Sequence, residues 1–474
     1  MRKITKKYLN MRKENKKIIL VSLGNINVVR NNALLPGSIL DLLAQSSRER
    51  GARVVVLFKT RSFPALKEKI EKEYGDVCVV ENYEGLLPKN ILQRIVHFFY
   101  SYLIFSGTTK LVSSYNVRSD KARPLLSYWN QPLKLLIYKL FGGSRWVKET
   151  IAPRLYFSAF TNRPFKALFE KYKPDVVFLT NPFAWPFDLD ILAEAKRAGA
   201  KTVGMPGNWD HLSKYYIPFK ADKLLVWSML IKDEAMFYQN YSDDQVKIVG
   251  SPGIDFYLKP ENLKERGQFL RECGFPPGSK VVSYFSQGPY TPDGADYVDM
   301  IIKSVENGLI NKNTRIVVRP HPQGLWEAEK YARFVNNPMI HIDRTDGWST
   351  AENVISYMNL LRHSDVVVTT YSTVAVEANF FDRPTIIAGF DGYKNRPMYQ
   401  SLKRHKMLTH FQYLIPIGGI KVAESQGEFL KFLQSYMKDP AQDSEGRSKL
   451  RQKVFGFLDG KNCERVVGEI MNMI

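Results

Sequence analysis

Cysteine is scarce in this chain: Cys78, Cys273 and Cys463 are the three in 474 residues, widely separated and odd in number. Such a set excludes a disulfide framework, offers no zinc-ligand spacing, and fits a reducing cytoplasm. Long hydrophobic runs are missing too. No stretch approaches the ~20 apolar residues of a membrane span. Residues 1–17 are basic without the apolar core of a signal peptide, and Ile18 to Leu23 is only strand-length. A protein made and kept inside the cell is expected. The turn after that first strand holds a single glycine, Gly24, where a GxGxxG fingerprint needs three, so no nicotinamide or flavin cofactor is inferred.

Acidic residues are scarce in the first third. Residues 1–174 contain 32 Lys and Arg against 12 Asp and Glu, a balance of +20 in a chain whose total is +21, so the remainder is nearly neutral. Residues 85–150 hold 11 aromatics and 10 basic residues against two acids. Aromatics beside Lys and Arg suit an interfacial helix at an anionic membrane surface. The alternative is a set of ordinary helices with Phe98, Phe99, Tyr102 and Phe105 in the core. No nucleic-acid-binding motif accompanies the charge, which disfavours a nucleic-acid partner.

What is present is a globular composition, 44% hydrophobic and 24% charged, in a chain long enough for two α/β domains. The organising stretch runs from Arg319 to Pro384. Ile316-Val317-Val318 breaks into Arg319-Pro320-His321-Pro322, and Asp365 to Thr370 breaks into Tyr371-Ser372-Thr373. Each is a β-branched run of the kind buried on both faces of a parallel sheet, followed at once by polar residues. Val374, Ala375, Ala378 and Phe381 then recur at helical spacing, so Ser372 and Thr373 stand at a helix start. Hydroxyls and unpaired N–H groups there suit a phosphate. Glu377, one turn on, is spaced to reach a sugar hydroxyl. Taken singly, His-Pro makes a turn, Ser-Thr caps a helix and Glu377 is a solvated residue. Their joint order at the ends of two strands points to a nucleotide pocket.

Arg319-Pro320-His321-Pro322, Thr370 to Thr373, Glu377 and Arg383 to Ile387 together resemble the C-terminal domain of GT-B glycosyltransferases. The likeness is to the bacterial surface-polysaccharide group, which includes His-Pro capsule transferases and CDP-glycerol glycerophosphotransferases. It spans roughly residues 170 to 470. It implies two Rossmann-like domains facing a cleft and a C-terminal helix crossing back to the first domain. It also implies that His321, Ser372 and Thr373 contact donor phosphates while Glu377 holds the ribose. Arg319 either adds positive charge or pairs with a neighbouring acid. His321, the two hydroxyls and helix N–H groups would offset charge on the leaving phosphate, so no metal or other cofactor is required.

The expected domains are residues 1–250, on the acceptor side and carrying the 85–150 insertion, 251–455, which bind the donor, and 456–474 as the crossing helix capped by Asn462. Asp210-His211 follows the strand Lys201 to Gly204; Asp210 is a candidate base for the acceptor hydroxyl, with His211 serving instead or orienting it. Turn hydrogen bonds or acceptor binding without proton transfer explain the pair equally. Ser286-Gln287-Gly288, after the strand Lys280 to Phe285, is either a small polar turn that lets backbone N–H groups approach a phosphate or a plain strand-to-helix turn. The expected activity is transfer of a sugar from a nucleotide-activated donor (UDP-, CMP- or CDP-linked) to a cell-surface glycan or lipid-linked acceptor, by a cytoplasmic enzyme peripheral to the membrane. The alternatives are a CDP-glycerol-type polyol-phosphate transferase, a UDP-N-acetylglucosamine 2-epimerase-like isomerase, and a non-catalytic binding protein with a basic membrane-facing surface. The isomerase is weakened because its paired acids appear here as Val376-Glu377.

Overall fold

The computed structural model describes residues 16–24, 28–29, 32–83, 89–114, 124–183, 186–321, 327, 329–343 and 350–474. The chain divides into two compact units: Met1–Ile104, Ile137–Leu258 and Gly456–Ile474 form the first, and Phe105–Leu136 with Lys259–Phe455 form the second.

Seven strands build the sheet of the first unit: β1 (Ile18–Ser22), β2 (Arg53–Phe58), β3 (Cys78–Asn82), β4 (Val176–Leu179), β5 (Lys201–Gly204), β6 (Lys223–Val226) and β7 (Val246–Ile248). All pairings are parallel, in the order 3-2-1-4-5-6-7. Runs such as Arg53-Val54-Val55-Val56-Leu57-Phe58 are buried almost throughout, as strands covered on both faces by helices must be. Between β1 and β2 the helix Ile39–Glu49 starts where the Ser38 side chain accepts from Asp41 N (3.3 Å). It stops before Gly51, whose φ of +67° falls in the left-handed region.

The C-terminal helix Asn462–Met471 belongs to this first unit, packed on Ile39–Glu49 and tied by an ion pair between Lys223 and Glu469 (2.7 Å). Asn462 is not its cap. Its Nδ2 instead donates to Ser251 O (3.1 Å) and Phe457 O (3.2 Å), while Asp255 accepts from Cys463 N (2.7 Å) at the helix start. A buried amide that can tie two loops together does more there than a cap, because each backbone carbonyl it satisfies would otherwise be stranded.

The second unit has six parallel strands: β8 (Lys280–Phe285), β9 (Thr314–Arg319), β10 (Ile340–Ile342), β11 (Val366–Thr369), β12 (Thr385–Ala388) and β13 (Lys421–Ala423). Their order is 10-9-8-11-12-13. Alternate strand residues feed two cores: Val282, Tyr284, Val318 and Val368 on one face with Tyr297 and Phe429, and Val281, Phe285, Val317 and Val367 on the other with Phe269 and Leu361. That two-sided burial is why these strands read as unbroken apolar runs. Residues 105–136, expected within the first domain, group with the second unit. Thr108 and Thr409 each accept from the other's backbone N–H at 3.0 Å, so the start of Gly107–Ser114 is latched to the helix Thr409–Leu414. Residues 85–88 and 115–123 of the basic-aromatic stretch lie outside the described residues.

Among the described residues, no helix is long and apolar enough to cross a membrane. None of the described His, Cys, Asp or Glu residues form a group of three or more placed to hold a metal ion.

Candidate functional site

In a doubly wound sheet the strand order reverses at one point, and helices leave to opposite faces there, opening a crevice beyond the carboxyl ends of the two strands. In the second unit that point lies between β8 and β11. Gln287, just past β8, accepts from Thr370 Oγ1 (2.6 Å) and donates to Tyr371 O, bridging the two strand ends. Thr291 and Thr370 also share a hydroxyl contact of 3.0 Å.

Gly288 has φ of +64°, and a Cβ there would stand 3.2 Å from His321 Cγ. Glycine is required at this turn both for its backbone angle and because the imidazole occupies the neighbouring space. The ring of His321 is half-buried, and its Nδ1 is buried without a hydrogen-bond partner among the described residues. Burial, with Lys330 adding repulsion, lowers its pKa to about 4. His321 is therefore neutral at pH 7 and offers one ring N–H as donor. Pro322 lies outside the described residues. Ser286 donates to the fully buried Glu327, whose carboxylate also pairs with Lys330 (2.9 Å). The hydroxyl of Ser286 thus holds the wall of the turn.

Ser372 and Thr373 are half-buried at the end of β11. The segment they introduce is shorter than expected: one α turn, Val374–Glu377, then a 3-10 turn that ends at Asp382 in the left-handed region. One turn carries little macrodipole, so any anion held here depends on hydroxyls and His321 more than on a helix end. Glu377 N donates to Thr373 O (2.9 Å), and Glu377 accepts from the Tyr357 hydroxyl (2.5 Å).

Arg319 lies elsewhere in this constellation. It is 4% exposed, paired with Asp343, and donates to Asn353 O (3.3 Å). Of its two expected roles, pairing with a neighbouring acid is the one observed. A buried guanidinium needs a carboxylate beside it, and Asp343, following β10, supplies one. Asp365 is likewise structural, accepting from Arg266 (2.7 Å), Lys280 (3.1 Å) and Val281 N (2.8 Å).

In the first unit Asp210 and His211 follow β5. His211 Nδ1 lies 2.9 Å from Asn181 Oδ1, beyond the end of β4, and its Nε2 is 3.5 Å from Asp210, whose carboxylate pairs with Lys214 (2.8 Å). The ring thus lies between two oxygen acceptors, the Asn181 amide at Nδ1 and the Asp210 carboxylate at Nε2. Nearby is Glu234 on the helix Met229–Gln239. It is 5% exposed, neither carboxylate oxygen has a partner among the described residues, and burial with the Asp210 charge raises its pKa to about 8. The same helix grips the loop through Gln239 Nε2, which donates to Leu212 O and Tyr215 O at 2.7 Å each.

Glu234, Asn181, Tyr357 and Glu327 escaped notice in the sequence. Glu234 had a signal: with Ile231 and Ala235 it shares the buried face of an amphipathic helix. Asp188-Leu189-Asp190 also has Asp-x-Asp spacing, but these carboxylates are committed within the fold. Asp188 accepts from Ser22 (2.7 Å) and Asn181 N (2.6 Å), and Asp190 accepts from Tyr156 (2.7 Å).

Solved structures with a similar fold include a putative UDP-N-acetylglucosamine 2-epimerase from Listeria monocytogenes, at 11% identity and a TM-score of 0.56, covering 96% of each chain. UDP-GlcNAc 2-epimerase from Neisseria meningitidis bound to UDP-GlcNAc gives 10% identity and 0.54, over 96% of this chain and 100% of its own. The S. aureus MnaA-UDP co-structure gives 11% and 0.54, over 97% and 98%. These likenesses establish the fold, which is GT-B. No curated protein matches by sequence. Residues 220–472 match the family model described as CDP-Glycerol:Poly(glycerophosphate) glycerophosphotransferase, a span that includes the whole run from β8 to Glu377. The chain therefore belongs to the CDP-glycerol:poly(glycerophosphate) glycerophosphotransferase family and is a GT-B transferase using a nucleotide-activated donor.

Proposed function

We propose that this enzyme transfers glycerol phosphate from CDP-glycerol to the terminal hydroxyl of a phosphate-containing polymer or its membrane-bound precursor. The family carries the choice of glycerol phosphate over a sugar. The observation that supports the donor position is the half-buried His321, with an unpartnered Nδ1 among the described residues, against the Gly288 turn.

In this reading the acceptor oxygen attacks the β-phosphorus of CDP-glycerol. The new P–O bond forms as the bond to CMP breaks, and CMP leaves with the bridging oxygen. His321 donates to the phosphate on which charge builds, and Ser372 and Thr373 add hydroxyl donors. Glu377 accepts from ribose hydroxyls. The acceptor hydroxyl gives up its proton to a general base, for which Asp210 and His211 are the candidates. Arg319 takes no part.

We further propose that the first unit rests on an anionic lipid surface. Ile91 (77% exposed), Leu92 and Ile95 project from the helix Ile91–Ser101, and Leu140 and Trp146 (63%) project from the following segment of the same unit. Phe99 and Phe141 are in ring contact at 5.7 Å, which brings the two apolar pieces together. Arg94, Lys139 and Arg145 flank them.

A thermal-shift series with CDP-glycerol, CDP, CMP, UDP and UDP-GlcNAc, on wild type and His321→Ala, tests the donor. Stabilisation by CDP-glycerol that is lost in the variant, together with CMP release when an acceptor is supplied, is expected. Stabilisation and turnover with a sugar nucleotide alone would overturn glycerol phosphate in favour of sugar transfer.

A further inference from the structure

The donor reading places a ribose on Glu377 but leaves open what holds that carboxylate still. Glu377 ends a helix only four residues long, Val374–Glu377, so its own element gives it little rigidity. Tyr357, from the separate helix Ala351–His363, is 2% exposed and donates to Glu377 Oε2 at 2.5 Å. The ring of Tyr357 is itself wedged. The Arg319 guanidinium lies over it at 5.3 Å, and Phe285 meets it edge-on at 5.7 Å. Phe285 and Arg319 are the last residues of β8 and β9 and partners in register. Arg319 is anchored in turn by Asp343 and Asn353 O. The ends of β8 and β9 thereby set the position of one oxygen beyond β11.

We propose that Tyr357 is a positioning residue for nucleotide recognition: packed against Arg319 and Phe285, it fixes the Glu377 carboxylate in the orientation that accepts from a ribose hydroxyl. The proposal rests on the reading of Glu377 as the ribose acceptor. It assigns Arg319 a function at one remove, since a guanidinium paired with Asp343 still determines where the Tyr357 hydroxyl stands. A carboxylate has about four acceptor positions, of which the Tyr357 hydroxyl takes one.

The test compares CDP with 2′,3′-dideoxy-CDP by titration calorimetry on wild type, Glu377→Gln, Tyr357→Phe and Phe285→Leu. Wild type should prefer the ribonucleotide by about tenfold, the size of one charge-assisted hydrogen bond. Tyr357→Phe should bring that ratio to within about threefold while binding of the dideoxy compound stays within about twofold of wild type. A merely structural lesion would weaken both nucleotides together. Phe285→Leu, which loosens the wedge and keeps the hydroxyl, should lower the ratio in the same direction and decides the matter if Tyr357→Phe does not fold. Absence of CDP binding or of wild-type discrimination refutes the ribose reading of Glu377 and the proposal with it. Discrimination that Glu377→Gln abolishes but Tyr357→Phe and Phe285→Leu leave intact overturns the role of Tyr357 alone.

Discussion

Gln287 and Thr370 are 83 residues apart in sequence, yet the Thr370 hydroxyl donates to Gln287 Oε1 at 2.6 Å. With the second bond from Gln287 Nε2 to Tyr371 O, this contact fastens the ends of the two strands between which the sheet of the second unit reverses. Gln287→Ala should therefore cost about 1–3 kcal/mol in stability, because the Tyr371 carbonyl loses its side-chain donor and the Thr370 hydroxyl keeps only its contact with Thr291. It should also weaken nucleotide binding. Urea denaturation and nucleotide titration on the same variant read the two effects; unchanged affinity would separate the bridge from the donor site.

Removing the buried guanidinium of Arg319 leaves Asp343, a half-buried carboxylate, without its ion-pair partner. Arg319→Met is expected to destabilise the second unit by about 3–5 kcal/mol, the range for breaking rather than replacing a buried pair. Arg319→Met with Asp343→Leu should recover much of that loss. Denaturant midpoints of the single and double variants check the expectation; a mild single variant would show that the pair is not buried in solution.

Glu234 sets a pH dependence with a defined sign. Its folded pKa is raised from 4.5 to about 8, so between those values the folded chain binds a proton that the unfolded chain has released. Stability contributed by the protonated acid is then whole below pH 4.5 and is lost progressively as pH rises to 8. Glu234→Gln, which cannot ionise, should gain on wild type as pH rises from 5 to 8, by about 2–4 °C in midpoint for each kcal/mol. Melting curves across that interval test it, and a constant difference would contradict it.

His321 acts in the opposite sense. Burial lowers its pKa from 6.5 to about 4, so the unfolded chain binds the extra proton in that interval and stability falls as the solution is acidified through it. His321→Asn should flatten this acid limb. Melting curves at pH 4.5 to 7.5 distinguish the two slopes, and superimposable slopes would mean that the ring is solvated.

The exposed apolar side chains of the first unit predict adsorption to anionic vesicles at low salt. Replacing Ile95 and Trp146 together by Ser should reduce binding by at least about tenfold, since each removes a large apolar group from the lipid boundary. Co-sedimentation with phosphatidylglycerol and phosphatidylcholine vesicles checks both the surface and its charge preference. Equal recovery with the neutral lipid would remove the electrostatic part.

Local pattern carried much of the architecture. The β-branched runs at Arg53 to Phe58, Lys280 to Phe285 and Thr314 to Arg319 are legible as strands because burial on both faces leaves no polar residue to interrupt them. The polar residues that end such runs, Ser286 to Gly288, His321, and Ser372 with Thr373, are legible as candidate site residues because strand termini are where parallel sheets expose side chains. The short strands β7, β10 and β13, of three residues each, were missed: three residues cannot show a period.

What the sequence determined by itself was therefore the fold class, the grouping of motifs at strand ends and the excess of positive charge, all of which follow from neighbours along the chain. The tertiary structure decided which groups meet. It sent Arg319 to Asp343, Tyr357 to Glu377 and Asn462 to Ser251, and it buried Glu234 beside Asp210. Each of those outcomes depends on a partner 15 or more residues away, and on the cost of leaving a buried polar group alone, which no local pattern records.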